Sequence, residues 1–435
     1  MKEIKIGILG LGTVGTGVTK ILYDNGPLIM SRLGAKLTLK KAADIDLQRD
    51  RGIKFDDGIL TADPLEVVND PKIDIVLEMI GGEAIAKDLI LKAIDNGKHI
   101  VTANKALLAS QGNMLFKTAA EKGVSIAFEP SVGGCMPIIK TIRESLVGNS
   151  IASISGILNG TCNYILSKIT NEGVSFEDAL SEAQAKGFAE ADPTLDIEGF
   201  DTAHKLAILS SIAYGTEINL NEIYVEGISN ITATDIEFAD QCGYRIKLLA
   251  ITKFTGNAID ARVHPTMIPF SNPLSNVNGS LNAVTISGDA VGDMMLYGHG
   301  AGMMPTASAA ISDTIDIARD LIYGTHTRVP MLSFQMEQIE KIPTQPIEEI
   351  STHYYVRFSA IDQPGVLSKI SGILGDHQIS IKSVHQTEQK LNGAVPIFML
   401  THQAKEAEIQ KALSKISSLD IITDTPSLIR IEGTN

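Results

Sequence analysis

Apolar positions near the N-terminus follow the pattern of a buried strand. Residues 4–9 read Ile-Lys-Ile-Gly-Ile-Leu, an alternation that becomes fully apolar, as in the strands of parallel sheets. A helical spacing of apolar residues then runs to about residue 22. Further strands are predicted at 35–43, 73–80, 99–103 and 124–129, with helical patterns between them. This alternation indicates a mostly parallel sheet with right-handed crossovers. Residues 24–34, which include Gly, Pro and Asn, are predicted to form an extended loop or a helix tail.

A glycine-rich turn follows the first strand at once. It reads Gly10-Leu-Gly12-Thr-Val-Gly15 and stands between a predicted strand and a predicted helix, where dinucleotide-binding folds place this motif. Gly10 would make the tight turn, Gly12 would admit a pyrophosphate, and Gly15 would let helix and strand pack closely. The N-terminus of the helix supplies free N–H groups to an anion.

The end of the second strand offers residues for the adenosine ribose. Asp44 is the candidate for the ribose hydroxyls, although its spacing from the glycines exceeds the usual ~20 residues. Lys40 and Lys41 lie near the same strand end and are candidates for a 2′-phosphate. The choice between NAD and NADP therefore stays open.

Two further segments follow predicted strands. Lys105 comes just after the strand at 99–103, at the sheet edge where ligands of open α/β folds bind. A lysine in the first turn of a helix opposes the helix dipole, which favours a functional role. Residues 128–137, with paired glycines and two prolines, form either a loop that aims carbonyls at a cation or phosphate or a loop that crosses between domains.

Residues 186–205 combine five carboxylates with a lysine before an apolar run. Asp201 and Lys205 are separated by four positions, so they share one helix face. Helix capping explains part of this segment. A lysine held among carboxylates also suits a general acid or oxyanion partner, and the carboxylates suit a substrate ammonium. The acids are Glu190, Asp192, Asp196, Glu198 and Asp201.

Glycines also mark positions before and after this segment. Residues 151–159 alternate as a strand and enter a helix, with Asn159 and Thr161 expected near the ligand crevice. Residues 298–302 read Gly-His-Gly-Ala-Gly and precede a helix at about 305–323, which suggests that the chain returns to the cofactor crevice. His264 and His299 are predicted to be ordinary loop residues because they lack metal-ligand spacing.

The last part of the chain has the pattern of a separate module. After a linker around 342–346, strands are predicted at 353–361, 378–388, 394–401 and 420–431 and helices at 365–375 and 404–416. Asn392-Gly393 is a strong hairpin signal. The order is βαββαβ, a ferredoxin-like unit. The module contains no acid–base constellation, so it is either a regulatory domain or a structural domain used in oligomerisation.

Composition excludes several classes of partner. The chain has 435 residues and a formal net charge of −14, which argues against nucleic acid because phosphate binding needs clustered Lys and Arg. We find no apolar run long enough to cross a bilayer and no signal peptide. Three widely spaced cysteines indicate a reducing compartment, and we expect a cytoplasmic protein.

Taken together, the motifs resemble homoserine dehydrogenase, in the monofunctional form with a C-terminal ACT domain. No aspartate-kinase region precedes the first strand, so we do not expect the bifunctional form. The resemblance rests on motifs that occur in order: Gly10-Leu-Gly-Thr-Val-Gly15, Thr102-Ala-Asn-Lys105, Glu129-Pro-Ser-Val-Gly-Gly134, Gly156-Ile-Leu-Asn-Gly-Thr161, Gly187-Phe-Ala-Glu-Ala-Asp-Pro193, Asp201-Thr-Ala-His-Lys205, Gly300-Ala-Gly302 and Asp362-Gln-Pro-Gly365.

The resemblance implies an α/β fold in three parts. These are a Rossmann domain at 1–130, completed by the helix near 305–323, an α+β catalytic and dimerisation domain at 131–330, and a ferredoxin-like ACT domain at 351–435 after a linker at 331–350. It also implies NAD(P)-dependent interconversion of L-homoserine and L-aspartate 4-semialdehyde in threonine, methionine and isoleucine biosynthesis. A homodimer or homotetramer is expected, with an amino-acid effector such as threonine.

The resemblance also implies roles for individual residues. Lys205 would exchange the proton of the alcohol or aldehyde oxygen, supported by Asp201, with Lys105 beside the nicotinamide and the substrate. Glu190 would bind the substrate amino group, and Asp362 and Gly365 would belong to the effector site. Backbone carbonyls would hold a sodium ion at Glu129, Val132, Gly134 and Met136. Cofactor contacts would come from Gly10, Gly12, Thr13, Val14, Gly15, Ala43, Thr102, Lys105 and Gly302.

One position departs from the family pattern. NADP-using members often place Arg directly before the Asp that follows the second strand, where this chain has Ala43. The change removes a bidentate partner for phosphate, so NAD is expected as an alternative or preferred cofactor unless Lys40 or Lys41 compensates. Two other functions stay open: another amino-acid dehydrogenase of the same fold, and a non-catalytic sensor of NAD(P) and an amino acid.

Overall fold

The computed structural model describes residues 2–325, 328–386 and 394–433. Contacts divide the chain into two compact units. The first unit comprises Met1–Ile154, Asp201–Asn221 and Leu281–Ile342. The second unit comprises Ser155–Phe200, Glu222–Ser280 and Pro343–Asn435. The chain passes between the units several times, so neither unit is one continuous stretch of sequence.

The described residues form strands and α-helices throughout the chain. The strands are β1 (Glu3–Leu9), β2 (Lys36–Ala43), β3 (Leu60–Thr61), β4 (Ile75–Glu78), β5 (His99–Thr102), β6 (Ile126–Ala127), β7 (Ile151–Ile157), β8 (Tyr224–Val225), β9 (Tyr244–Phe254), β10 (Ile259–Pro269), β11 (Leu281–Gly288), β12 (Gly292–His299), β13 (Ser351–Ala360), β14 (Ile381–Gln386), β15 (Val395–Thr401), β16 (Ala404–Lys405) and β17 (Ser427–Ile431). The helices are α1 (Thr13–Asp24), α2 (Gly26–Leu33), α3 (Leu65–Val68), α4 (Ala84–Asp95), α5 (Lys105–Glu121), α6 (Ile138–Lys140), α7 (Gly160–Glu172), α8 (Phe176–Ala185), α9 (Thr194–Ile197), α10 (Phe200–Tyr214), α11 (Ala233–Gln241), α12 (Met303–Tyr323), α13 (Val366–Asp376) and α14 (Glu406–Ser417).

A parallel sheet is the centre of the first unit. Its strand order is β3-β2-β1-β4-β5-β6, and each neighbouring pair is parallel. The chain leaves β1 in one direction along the sheet and later returns to its other side at β4, so a crevice opens at the carboxyl ends of these two strands. Buried aliphatic side chains such as Ile6, Ile8 and Ile75 fill its core. The predicted Rossmann architecture is confirmed.

Helix α12 completes this domain. It begins at Met303, close to the predicted start, and packs against α1. The contact is tight at Gly17, where an added Cβ would lie 2.8 Å from the Met303 carbonyl oxygen. A late segment of the chain therefore forms part of the nucleotide-binding core, because a glycine on α1 lets the two helices approach.

One local prediction in this unit is wrong and another is too long. Residues 24–34 do not form a loop or a helix tail but contain a helix of their own, α2, which ends at Gly34 with φ of 76°. Its buried Ile29 and Leu33 are four positions apart and face the core. The strand predicted at 124–129 covers only Ile126–Ala127. Pro130 has no N–H to donate to a sheet, and a short 3₁₀ turn replaces the strand there.

A mixed sheet connects the parts of the second unit. Within it the order β9-β10-β17-β13-β15-β14 is continuous. Strands β9 and β10 pair antiparallel along their length, and β10 joins β17 in parallel at Thr266↔Arg430 and Met267↔Ile431. The C-terminal module is therefore hydrogen-bonded to the middle region as one sheet. His264, predicted in a loop, is buried within β10, where burial and two nearby arginines lower its pKa well below the ordinary value.

The predicted βαββαβ order of the C-terminal module is confirmed. It is formed by β13, α13, β14, β15, α14 and β17, with α13 and α14 covering an apolar core that includes Tyr354 and Phe358. The last strand is shorter than predicted and starts at Ser427. The Asn392-Gly393 hairpin turn lies outside the described residues. No helix among the described residues is long and apolar enough to cross a membrane.

Helix α11 packs on a second face of this module. Asp235 is fully buried and accepts hydrogen bonds from Tyr355 Oη at 2.6 Å and from Arg357 Nε at 2.7 Å. Phe238 stacks on Phe398 with ring centroids 4.6 Å apart. A buried carboxylate is stable only when it is paired and hydrogen-bonded. These contacts therefore fix the module to the middle region by more than the β10–β17 pairing.

Candidate active site

The glycine-rich turn has the geometry of an anion site. Gly10 has φ of 90°, and a Cβ at Gly15 would lie 2.0 Å from the Gly10 carbonyl oxygen. A Cβ at Gly12 would meet no described heavy atom within 4 Å. Helix α1 starts at Thr13 and Val14, and among the described residues no side chain caps it. Its first N–H groups therefore face open space beside Gly12, where a phosphate can approach.

Asp44 lies at the end of β2 and is bonded to this turn. Its Oδ2 accepts from the Leu11 N–H at 2.6 Å, and its Oδ1 accepts from the Asp46 N–H at 2.9 Å. Sequence reasoning missed Arg51, a buried residue whose Nη2 lies 3.1 Å from Asp44 Oδ1. No motif marks Arg51, because its contacts depend on how the loop after β2 folds back.

The other residues at this strand end differ in their surroundings. Ala43 is buried. Lys41 forms an ion pair with Glu66 at the start of α3, so a carboxylate already neutralises it. Lys40 is partly exposed, at a register shift between β1 and β2.

The ends of β4 and β5 are bonded to each other. Thr102 Oγ1 donates to Glu78 Oε2 at 2.6 Å, and Glu78 Oε1 accepts from the N–H groups of Ile80 and Gly81. Asn104 Nδ2 donates to the Gly82 carbonyl at 2.6 Å, and its Oδ1 caps α5. Glu78 was not singled out from the sequence. This network holds the loops that precede Lys105, the first residue of α5.

Asp201 joins two lysines that are far apart in sequence. Its Oδ2 lies 2.6 Å from Lys205 Nζ and its Oδ1 lies 3.2 Å from Lys105 Nζ. Asp201 and Lys205 are buried, whereas the Lys105 side chain is 39% exposed. We call Lys105, Asp201 and Lys205 the lysine–aspartate cluster. The predicted pairing of Asp201 with Lys205 is present, and the third member comes from a different helix.

His204 lies beside the lysine–aspartate cluster. Burial lowers its pKa, the charges of Lys105 and Lys205 act in the same direction, and Asp201 opposes them. The imidazole is therefore neutral near pH 7. This imidazole lies next to two basic side chains and one acidic side chain.

The loop at 129–136 is held from both ends. The Glu129 carboxylate accepts from the N–H groups of Ile139 and Lys140, each at 2.8 Å, and the Glu129 N–H donates to Asp313 Oδ2 at 2.8 Å. Burial, reinforced by Asp313, raises the pKa of Glu129 to about 8. Paired glycines with φ of 75° and 56° turn the chain between these ends.

The carbonyl groups of this loop differ in their partners. The Glu129 carbonyl accepts a long bond of 3.4 Å from Val132 N–H, and the Met136 carbonyl accepts from Ile138 N–H at 2.8 Å. In the described part of the chain, no backbone N–H donates to the carbonyl oxygens of Val132 and Gly134. A hard cation prefers oxygen ligands such as these carbonyls. No cluster of three acidic, histidine or cysteine side chains suited to a metal occurs among the described residues.

Gly302 lies at the start of α12. It has φ of 120° and is the N-cap residue of that helix, with no side-chain cap among the described residues. This is a second glycine-capped helix start within the first unit.

The acids of the 186–205 segment that belong to the second unit have separate surroundings. Asp192 accepts from Thr194 N–H and Oγ1 just before α9. Asp196 accepts from Asn159 Nδ2 at 2.7 Å, and Glu198 accepts from Ser229 Oγ at 2.5 Å. These hydrogen bonds all lie within the second unit.

Glu190 is an exposed acid of this segment, as is Asp192. Gln184 Nε2 donates to the Glu190 carbonyl at 3.1 Å, and Thr161 Oγ1 donates to the Phe188 carbonyl at 2.6 Å. The loop that bears Glu190 is therefore fixed through its backbone while the carboxylate faces outward.

The turn at Asp362 and Gly365 precedes helix α13. Both residues are exposed, and Gly365 is the N-cap residue with φ of 91°. The turn lies at the end of β13 and at the surface of the C-terminal module.

Family models match most of the chain. The model described as Homoserine dehydrogenase matches residues 137–315, the one described as Homoserine dehydrogenase, NAD binding domain matches 10–129, and the ACT domain model matches 354–420. The homoserine dehydrogenase of Neisseria gonorrhoeae is 46% identical over 433 residues, with 100% of this chain and 99% of the relative covered. The chain belongs to the homoserine dehydrogenase family.

Solved structures of the family agree with this assignment. The homoserine dehydrogenase of Thiobacillus denitrificans superimposes with a TM-score of 0.94 at 46% identity, covering 99% of both chains. A hyperthermophilic archaeal homoserine dehydrogenase in complex with NADPH gives a TM-score of 0.61 at 28% identity, covering 72% of this chain and 97% of that one. The resemblance seen in the sequence motifs is thereby confirmed. The chain is an oxidoreductase with an NAD-binding domain, a catalytic domain and an ACT domain, and its reaction interconverts L-homoserine and L-aspartate 4-semialdehyde.

Proposed function

We propose that the lysine–aspartate cluster is the proton-transfer site of this reaction. Asp201 fixes Lys205 at 2.6 Å and Lys105 at 3.2 Å, and this bridging carboxylate is the observation on which the proposal rests. A charged donor held in place before the reaction stabilises a developing negative oxygen at little cost of reorganisation. Lys205 is the proton donor, Asp201 holds it, and Lys105 lies beside the reacting oxygen.

The proton and hydride movements balance in this scheme. When bound, the nicotinamide cofactor supplies or accepts the hydride. During reduction of the semialdehyde, the Lys205 ammonium gives its proton to the carbonyl oxygen and a C–H bond forms at the aldehyde carbon. During oxidation of homoserine, the hydroxyl proton passes to the neutral Lys205 amine. General acid–base catalysis of this kind contributes about 10²- to 10⁴-fold in rate.

Glu190 is proposed to bind the substrate ammonium group. Its carboxylate is exposed while its backbone is fixed by Gln184, which supports a binding role in preference to a structural one. Glu190→Gln should raise KM for homoserine at least tenfold with a smaller change in kcat, because the ammonium is bound equally in the ground and transition states. Glu177→Gln, an exposed acid at the start of α8, is the control.

The cofactor is proposed to bind at the open start of α1. Gly10, Gly12, Thr13, Val14 and Gly15 would receive the pyrophosphate, and the unobstructed approach to Gly12 supports this. Further contacts are proposed from residues at other loops, namely Ala43, Thr102, Lys105 and Gly302. The archaeal relative in complex with NADPH supports NADP, and the absence of an arginine at Ala43 supports use of NAD as well.

A sodium ion is proposed at the carbonyls of Glu129, Val132, Gly134 and Met136. The carbonyls of Val132 and Gly134, which accept no backbone hydrogen bond in the described part of the chain, support this set. The carbonyl of Met136, already bonded to Ile138 N–H, would share its second lone pair. The ion would fix the loop rather than take part in the reaction.

The ACT domain is proposed to bind a pathway amino acid such as threonine, through the turn at Asp362 and Gly365 in a homodimer or homotetramer. The exposure of that turn supports access for a small molecule. We also propose a cytoplasmic location, supported by the free thiols of Cys135, Cys162 and Cys242, which suit a reducing compartment.

One spectrophotometric assay tests the central proposal. The protein should oxidise L-homoserine with NAD, NADP or both, and the Lys205→Ala variant should lose at least 100-fold in kcat while it still binds NADPH. Retained turnover in that variant would contradict the role of Lys205. The same assay with and without threonine reports on the proposed effector.

A further inference from the structure

Arg51 forms a buried connection between the glycine-rich turn and the loop after β2. Its Nε donates to the Leu11 carbonyl at 3.0 Å, its Nη1 to the Arg49 carbonyl at 2.9 Å and its Nη2 to the Asp46 carbonyl at 2.6 Å. The side chain is 3% exposed. An arginine fixed by several acceptors in this way is a permanent, immobile positive charge.

Asp44 is the acidic partner of this charge. Its Oδ1 lies 3.1 Å from Arg51 Nη2, and its side chain is 14% exposed against 3% for Arg51. Asp44 Oδ2 also accepts from the Leu11 N–H. The carboxylate therefore lies at the accessible side of the pair, at the carboxyl end of β2 where the adenosine ribose of a dinucleotide is expected.

A bare carboxylate at this position would select one cofactor. It accepts hydrogen bonds from ribose hydroxyls, but it repels the doubly charged 2′-phosphate of NADP. The usual solution is an arginine next to the acid, and this chain has Ala43 there. Lys41 does not replace the positive charge of that arginine, because it already forms an ion pair with Glu66.

We infer that Arg51 is a specificity-determining residue of the cofactor site. As the counterion of Asp44, it offsets the negative charge that would otherwise exclude a 2′-phosphate, so that one pocket accepts both NAD and NADP. The inference rests on the proposed cofactor site at the glycine-rich turn. Arg51 acts through Asp44 and is a positioning residue, not a catalytic one.

The test is equilibrium binding of NADH and NADPH, measured by nucleotide fluorescence on the full chain without homoserine. In Arg51→Met, the dissociation constant for NADPH should rise at least about tenfold more than that for NADH, because an unpaired Asp44 repels the 2′-phosphate at short range. Arg51→Lys should recover part of the preference. Arg49→Met removes an exposed charge from the same loop and should leave the ratio unchanged.

A second set of variants separates charge from folding. Asp44→Asn keeps an acceptor for the Leu11 N–H and should shift the preference toward NADPH. The double variant Arg51→Met with Asp44→Asn should return the ratio to within about threefold of the parent, since the two charge changes cancel. If Arg51→Met does not fold, the ratio of the NADH and NADPH dissociation constants in Arg51→Lys and in Asp44→Asn still tests the inference.

Three results would overturn the inference. Equal changes in both dissociation constants in Arg51→Met would show that Arg51 only stabilises the turn. A double variant that keeps the shifted ratio would show that the effect does not pass through Asp44. A chain that binds neither nucleotide would overturn the proposed cofactor site as well, whereas binding of both with an unchanged ratio overturns this inference alone.

Discussion

Replacing Asp201 by Asn removes the one negative charge that the lysine–aspartate cluster shares. The amide keeps the shape of the side chain and one acceptor oxygen, but it leaves Lys105 and Lys205 as two neighbouring cations. Asp201 contacts Lys205 at 2.6 Å and Lys105 at 3.2 Å. The change therefore tests whether the carboxylate positions the proton donor.

The expected free-energy cost of Asp201→Asn follows from how deeply the three side chains are buried. Two unit charges about 4 Å apart interact by about 4 kcal/mol at an effective dielectric constant of 20. The Lys105 side chain is 39% exposed, so solvent reduces its share to about 1 kcal/mol or less. The side chains of Lys205 and Asp201 are only 10% and 9% exposed. In the variant, the amide oxygen still accepts a hydrogen bond from Lys205, which offsets part of the lost interaction energy. A net cost of about 3 kcal/mol, at the lower end for a broken buried pair, corresponds to roughly 100-fold in rate if it is expressed in the transition state.

Steady-state reduction of aspartate semialdehyde is the assay. We expect kcat and kcat/KM of Asp201→Asn to fall together by about 100-fold, because an interaction made in the transition state affects both. The dissociation constant for NADPH should change by less than about threefold. The matched control is Glu172→Gln on α7, whose Lys168 partner has the same i,i+4 spacing but where Glu172 is 52% exposed. Because this exposed pair is screened by solvent, the change should leave both the stability and kcat unchanged.

Two outcomes would refute this reasoning. Turnover within threefold of the parent would mean that Lys205 reaches its position without Asp201. A loss confined to KM would place Asp201 in substrate binding and not in proton transfer.

Four further substitutions probe the glycine-rich turn and the packing of the second unit. Gly15→Ala should lower both the melting temperature and the affinity for NADH, because its Cβ would lie 2.0 Å from the Gly10 carbonyl oxygen. Gly12→Ala has open space around it and should lower the affinity alone. Equal melting temperatures of the two variants would contradict this explanation. Burial lowers the pKa of Lys247 from about 10.5 to about 7, so the unfolded chain binds more protons between these values and stability should rise with pH from 7 to 9.5. Lys247→Met should flatten that rise in thermal melts, and an unchanged slope would assign it to other groups. Asp235→Asn should cost about 3 kcal/mol, because it breaks the ion pair between a fully buried carboxylate and the partly buried Arg357, and the loss should appear as a lower denaturation midpoint. Glu237→Gln, exposed on the same helix, is the control, and an equal effect would refute the explanation.

Much of the fold followed from local sequence patterns. The turn from Gly10 to Gly15 was recognisable because the backbone there needs a positive φ and close approach, and only glycine allows both. Asp201 and Lys205 were paired correctly because helix geometry brings positions i and i+4 together. The order of strands and helices in the C-terminal module followed from the alternation of apolar residues.

Short or ambiguous segments were predicted less well. Helix α2 was missed because Gly, Pro and Asn suggested a loop, yet Pro suits the start of a helix and Gly34 ends it in the left-handed conformation. The predicted strand at β6 was too long, because apolar residues continue into a segment where Pro130 prevents hydrogen bonding to the sheet.

The sequence by itself determined the positions of turns, helix ends and alternating strand residues, since these features depend on neighbours along the chain. Only the tertiary structure decided which distant groups meet: Lys105 with Asp201, Glu78 with Thr102, and Arg51 with Asp44. No periodicity encodes such pairs, because each depends on how separate strand ends and loops come together at one edge of the sheet. The sequence therefore indicates which types of residue the site contains, and the tertiary structure decides which charged side chains form pairs within it.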